Sequence, residues 1–230
     1  MWKLNANIAL LRRERFSGSL NLEKPDDGLD DFEVDGFPVA ARLLRVAAPM
    51  RPQVADCYLR GNDVVVTYHQ TDHIRPQVVW RAEPVNASEG LQLSVTLALQ
   101  TSQLLSDPQS QVISEMPATE CLAINYDAGD ATELGTPQTL AVGQTTAVLF
   151  RPENQTWSMV QAVHPMDYLS SELRCRNTTE LSHALFQDNL EKGVILKGRV
   201  GLWLLPRAAD AEVAAACIRA FVAAPLPLTT

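Results

Sequence analysis

The sequence predicts a mainly β protein, a large antiparallel β-sandwich of two packed sheets with one C-terminal amphipathic α-helix. In residues 91–100, Leu91, Leu93, Val95, Leu97 and Leu99 alternate with Gln92, Ser94, Thr96, Ala98 and Gln100. A period of two sets one face in a core and leaves the other polar, the habit of antiparallel sheets. Two β-rich segments, residues 56–60 and 64–69, flank the turn formers Gly61-Asn62-Asp63, a hairpin signature. Near the end, Val213, Cys217, Ala220, Phe221 and Ala224 recur at helical spacing after Asp210, read as the cap, and Pro225 stops the run. With about 14 residues and many alanines this helix is marginal alone and must dock Phe221 on a sheet.

The other elements follow by the same rules. Residues 77–83 read as a strand, with Val78, Trp80 and Ala82 on one face and Val79, Arg81 and Glu83 on the other. Further strands are expected at 112–115, 121–125, 145–151 and 157–163. In residues 178–190, Leu181, Ala184 and Leu185 suit a helix capped by Thr179, whereas 182–187 alternate as a strand; the strand is preferred. Residues 194–205 are apolar and β-branched enough for a long strand, with Gly198 and Gly201 marking a bulge or bend. Residues 20–38 read as a long acidic surface loop. No repeat or flexible linker divides the chain, so one domain, 1–230, is expected, a length ordinary for a single sandwich.

Composition removes several function classes. Hydrophobic residues at 46% and charged residues at 20% match globular usage, against disorder and against a membrane protein. A net charge of -8 repels polyphosphate, so nucleic acid is not an expected partner. Arg12, Arg13 and Arg15 cluster, but Glu14 interrupts them and acidic residues follow, which makes a solvated face. No apolar run approaches the roughly 20 residues of a membrane span. The first residues also lack a signal peptide's apolar core, so a cytoplasmic protein with no membrane partner is expected. Cys57, Cys121, Cys175 and Cys217 form no C-x-x-C pair and read as buried thiols. The sequons at Asn86, Asn154 and Asn177 then read as chance. Walker A, G-x-G-x-x-G, G-x-S-x-G and H-E-x-x-H motifs are missing, and no cofactor is expected.

Residues able to carry chemistry are few. The densest polar cluster is His69-Gln70-Thr71-Asp72-His73-Ile74-Arg75. On one straight strand His69 and His73 would stand about 13 Å apart, too far to share a metal at about 2 Å, so a polar rim is favoured over a metal site. Residues 26–33 hold oxygen ligands suited to calcium without EF-hand spacing and read as a solvated loop. His164 groups by alternation with Ser158, Val160 and Ala162. With an ordinary pKa near 6.5 it suits acid/base work, partnered by Asp167 or Glu172, and equally suits backbone capping where the strand ends. Trp80 and Trp203 read as core. The polar face Gln92, Ser94, Thr96 and Gln100 either lines a concave sheet or meets solvent.

From fold-class analogy, the leading expectation is a carbohydrate-like ligand or other polar small molecule bound at a polar sheet face or rim. His69, Asp72, His73, Arg75 and Arg81 are the candidate ligand-binding residues. One alternative is an enzyme acting on a sugar or related polar metabolite, of isomerase, epimerase or hydrolase type, with His164 and Asp167 catalytic. Another is a structural or assembly protein without a small-molecule ligand. Oligomeric state stays open.

Overall fold

Short turns break the chain into strands that are long enough to pair and too short to need covering on every side. The computed structural model describes residues 1–49, 53–71, 73–85, 89–117, 120–135, 146–186 and 188–225, together with the backbone of 138–140. Six strands open the chain: β1 (Trp2–Asn5), β2 (Ile8–Arg13), β3 (Phe16–Asn21), β4 (Leu29–Val34), β5 (Phe37–Pro38) and β6 (Arg42–Ala47). Then come β7 (Val54–Arg60), β8 (Asp63–Tyr68), β9 (Ile74–Pro84) and β10 (Leu91–Thr101). They are followed by β11 (Leu105–Ser106), β12 (Ser110–Met116), β13 (Glu120–Asn125), β14 (Asp130–Glu133), β15 (Gln138–Leu140), β16 (Ala147–Arg151) and β17 (Trp157–Val163). A single 3-10 turn, Pro165–Asp167, leads into β18 (Tyr168–Cys175), β19 (Thr179–Leu185), β20 (Leu190–Glu191), β21 (Ile195–Pro206) and helix α1 (Asp210–Ala223).

Two large antiparallel sheets result, with α1 as the one α-helix among the described residues. The first runs β1-β2-β3-β4-β6-β12-β19-β18-β15, with β5 beside β4; the second runs β14-β13-β16-β17-β21-β10-β9-β8-β7. Leu11, Leu20, Leu43 and Leu181 of the first sheet meet Val66, Val78, Val95 and Val200 of the second in one apolar core. Burying each such side chain contributes about 1.5–3 kcal/mol. The expected sandwich with its closing helix is the observed fold. Among the described residues no helix is long and apolar enough to cross a membrane.

Several local expectations change. The 20–38 loop is instead largely strand: Leu29, Phe32 and Val34 are buried on β4. A register shift against β3 and a positive φ of 49° at Asp31 space Leu29 and Phe32 by three, which hides the period of two. β21 pairs with β10 and β17 without a register shift, so its glycines mark no bulge. They mark close approach: a Cβ on Gly198 would lie 2.8 Å from Leu185, and one on Gly201 would lie 2.4 Å from the Trp203 ring. Asp210 is the first helical residue and not the cap, a position held by Ala209 at φ 57°. Its carboxylate is engaged elsewhere, as the helix docking shows.

Candidate ligand cavity between sheet and helix

On β10 the leucines and Val95 point into the sandwich core, so Gln92, Ser94 and Thr96 point outward. Register carries that pattern across the second sheet. Glu83 on β9 and Gln92 stand level with Trp203 on β21 and Val160 on β17. Arg81 and Ser94 stand level with Gly201 and Ala162. Each row is polar on its β9–β10 side and apolar beyond β21.

Helix α1 covers the apolar side. Ala214, Ala215, Ile218 and Phe221 join Leu149, Val160 and Trp203 in a second apolar cluster, with Phe221 edge-on to Trp203 at 5.5 Å. The helix is therefore turned relative to the expected stripe, and Ala216, Ala220 and Ala224 are exposed. Both of its ends are pinned. Arg151 donates from Nε and Nη2 to the Asp210 carboxylate at 3.0 and 2.8 Å, and the Ser158 hydroxyl donates at 2.5 Å. Burial pushes the Asp210 carboxyl up, but these donors outweigh it and hold the group below its ordinary value. At the other end Arg199 donates from Nη1 to the Ala224 carbonyl at 3.0 Å and lies 5.9 Å over the Phe221 ring. A cation there complements the helix C-terminus.

Between α1 and the polar side lies a cavity of about 940 Å³. Gln92, Ser94 and Thr96 form its floor, and among the described residues none of their side chains has a hydrogen-bond partner. Thr96 is only 8% exposed. At one edge the buried Asp63 is gripped by Arg81, whose Nε and Nη2 donate at 2.6 and 3.0 Å, while Arg60 stands 3.5 Å away. Val213, Ala216, Cys217, Ala220 and Ala224 make the helix wall. The charged lining is balanced, with Arg60, Arg81 and Arg199 against Asp63, Glu83 and Glu212. No group of three or more His, Cys, Asp or Glu side chains among the described residues is placed to hold a metal ion.

Of the described candidates from the sequence, Arg81 lines the cavity and the others do not. His164, 6% exposed, lies under the end of α1. Its Nδ1 accepts from the Met166 N–H at 3.3 Å, so Nε2 carries the proton and donates to the Val222 carbonyl at 3.2 Å. Burial, with Arg199 adding to it, lowers the His164 pKa. Asp167 accepts from the Arg199 backbone N–H at 3.0 Å and from its Nε at 3.3 Å, and lies 3.9 Å from His164 Nδ1. Burial raises its carboxyl against the pull of Arg199. The pair thus meets the cavity only indirectly, through Arg199 and through the Phe221 ring, whose centroid lies 5.9 Å from that of His164. Glu172 is half-buried on β18, held in a fork from Arg174 at 2.7 and 2.8 Å. Arg75 shares Arg81's face of β9 but stands six residues, about 20 Å, along it. His69 and Arg75 are exposed and His73 half-buried at that far end, while Asp72 falls outside the described residues.

Sequence reasoning missed Asp63 and Arg199. Asp63 resembled a turn former, whereas the turn is only Gly61-Asn62 and Asp63 opens β8 opposite Arg60. Arg199 did leave a signal, a cation set directly against the apolar run Val200 to Leu205.

No protein-family model and no curated protein sequence matches the chain. Solved structures do share its architecture. A galactose mutarotase-like protein from Lactobacillus casei superposes with a TM-score of 0.60 at 9% identity, covering 86% of this chain and 99% of that one. A protein provisionally named an aldose 1-epimerase, from Escherichia coli K12, gives 0.54 at 11% identity over 86% of this chain and 98% of that one. One of the same provisional name from Klebsiella pneumoniae gives 0.54 at 9% over 94% and 83%. At such identities the likeness is one of fold, and this chain carries the β-sandwich architecture of those proteins.

Proposed function

We propose that the protein binds a carbohydrate or sugar-like polyol in the cavity between β8–β10 and α1. The row Gln92, Ser94 and Thr96 carries this reading: three side chains that both donate and accept, set on one strand and without hydrogen-bond partners among the described residues. Sugar hydroxyls also donate and accept, and strand-borne groups hold their geometry better than loop-borne ones. The Arg81–Asp63 fork fixes one edge of the same floor. Balanced lining charge favours an uncharged ligand. The sugar-related names of the structural likenesses support the same class. In this reading His69, His73 and Arg75 have no part in the cavity. Calorimetric titration with a panel of sugars and polyols tests it. Thr96→Val combined with Gln92→Ala should weaken binding at least tenfold with the melting temperature unchanged; undiminished affinity would place the ligand elsewhere.

A catalytic version has one observation in its favour: Glu83 on the sheet and Glu212 on the helix both line the cavity. Interconverting sugar forms needs a proton donor and an acceptor at the ring, and carboxyl groups on opposite walls supply both. Polarimetry of a freshly dissolved anomer measures this. Wild-type rates in both Glu83→Gln and Glu212→Gln would remove the assignment, and a rate lost only in His164→Gln would move it to the His164–Asp167 pair.

A further inference from the structure

We propose that the cavity's ligand is an amphiphile, with an uncharged polar head on β10 and an apolar tail along α1, as in an alkyl or aryl glycoside; this rests on the cavity being the binding site. The helix presents two apolar stripes where docking requires one. Ala214, Ala215, Ile218 and Phe221 are spent on the sheet. Val213, Ala216, Cys217, Ala220 and Ala224 recur at i, i+3, i+4, i+7 and i+11 and line the cavity, Val213 and Cys217 while also packing partly against the sheet cluster, and the Phe221 ring reaches the cavity between the two stripes. Ala216, Ala220 and Ala224 are exposed, on a face where a surface helix ordinarily carries polar groups. The stripe runs about 16 Å along the helix axis.

A row of small residues is not a site in itself, and the floor supplies the independent observation. Thr96 is more than nine-tenths buried, lines the same cavity, and has no hydrogen-bond partner for its hydroxyl among the described residues. The rest of the residue is packed away and its hydroxyl is the part left accessible from the cavity, so this group, able to donate and to accept, marks where a polar head belongs. A cavity of about 940 Å³ is at the upper end of the roughly 300–1,000 Å³ of small-molecule pockets, and one sugar ring would leave much of the helix wall bare. Equal numbers of lining cations and anions disfavour a charged head. Burial also keeps the Cys217 thiol protonated, so the wall stays apolar.

The test is titration of the full chain with methyl, butyl, hexyl and octyl glycosides of glucose and galactose below their micelle concentrations. Affinity should rise about fourfold per methylene until the wall is covered. Ala220→Asp, at an exposed position of the wall, should abolish the chain-length gain, weakening octyl glycoside binding far more than methyl glycoside binding. Thr96→Val should weaken every member by the same factor. Affinity independent of chain length, with the methyl glycoside still bound, overturns the amphiphile and leaves the cavity reading standing. Equal loss for methyl and octyl glycosides in Ala220→Asp shows that the tail does not lie on α1 and overturns the proposal. Binding of none of the glycosides overturns both.

Discussion

Two halves of one sheet surface, the β16–β17–β21 half under α1 and the β8–β9–β10 half under the cavity, share a backbone ladder and differ in what stands on it. In the row through Gln92, Glu83 and Gln92 give way to Trp203, Val160 and Leu149. The covered half locks a helix, so its side chains act on stability. In the open half the side chains of Gln92, Ser94 and Thr96 have no hydrogen-bond partner among the described residues, so truncating them subtracts little from the fold. Stability and recognition therefore divide along β21, and substitutions should divide in the same way.

The largest effect is expected from Trp203→Ala, which empties the space between Gly201 and Phe221. A loss of about 3–5 kcal/mol by urea denaturation is the expectation, and a loss below about 1 kcal/mol would mean that α1 does not depend on this ring. Asp210→Ala comes next, because the buried Ser158 hydroxyl and the Arg151 Nε and Nη2 groups lose this acceptor, although Arg151 keeps Glu120 through Nη1 at 2.7 Å. About 3 kcal/mol is expected, and Arg151→Ala should cost at least as much, because it leaves the buried Asp210 carboxylate without its cation.

Acidification should act on stability as well. His164 and His183 are both buried neutral, His164 with its pKa lowered and His183 with its pKa pushed down to about 3 by burial. Unfolded histidine takes up its proton near pH 6.5. Below that value the unfolded chain binds protons that the folded chain refuses, so stability is lost as pH falls from about 6.5. For His183 the slope reaches at most about 1.4 kcal/mol per pH unit. Denaturation at pH 7 and pH 5, above the carboxylate range, should show the decline in the wild type and a shallower one in His183→Asn; equal slopes would remove His183 as the cause.

The open half should give the smallest changes in stability. Thr96→Val removes a hydroxyl that has no partner among the described residues, so a shift within about 1 kcal/mol is expected together with weakened ligand binding. Gln92→Ala should stay within about 0.5 kcal/mol. If Thr96→Val destabilised the fold as much as Asp210→Ala, the two halves would not be distinct.

The site was partly legible in advance. Alternation along β10 correctly separated the core leucines from Gln92, Ser94 and Thr96, and Arg81 was singled out for its forked chemistry. The predicted helix stripe is rotated in part: Phe221 docks as expected and Val213 and Cys217 pack at the edge of the cluster, whereas Ala220 and Ala224 are exposed and Ala214, Ala215 and Ile218 take the centre. An alanine-rich helix has two apolar stripes of similar strength, and Ile218 against the sheet and the pins at Asp210 and Ala224 select which one docks. Asp63 and Arg199 were obscured for a different reason: each gains its meaning from a partner distant in sequence, Asp63 from Arg81 and Arg199 from Asp167 and Ala224.

By itself the sequence determined the strand-rich class, the hairpin around Gly61, the core face of β10 and a helix ending at Pro225. Side-chain alternation and helical spacing are local properties, set by backbone geometry within a few residues. The tertiary structure alone decided that the polar face of β10 becomes a cavity floor. That outcome needs β21 in register beside β10, and it needs α1 pinned over one half of the sheet while the other half stays open. Both are long-range pairings, and no local period encodes them.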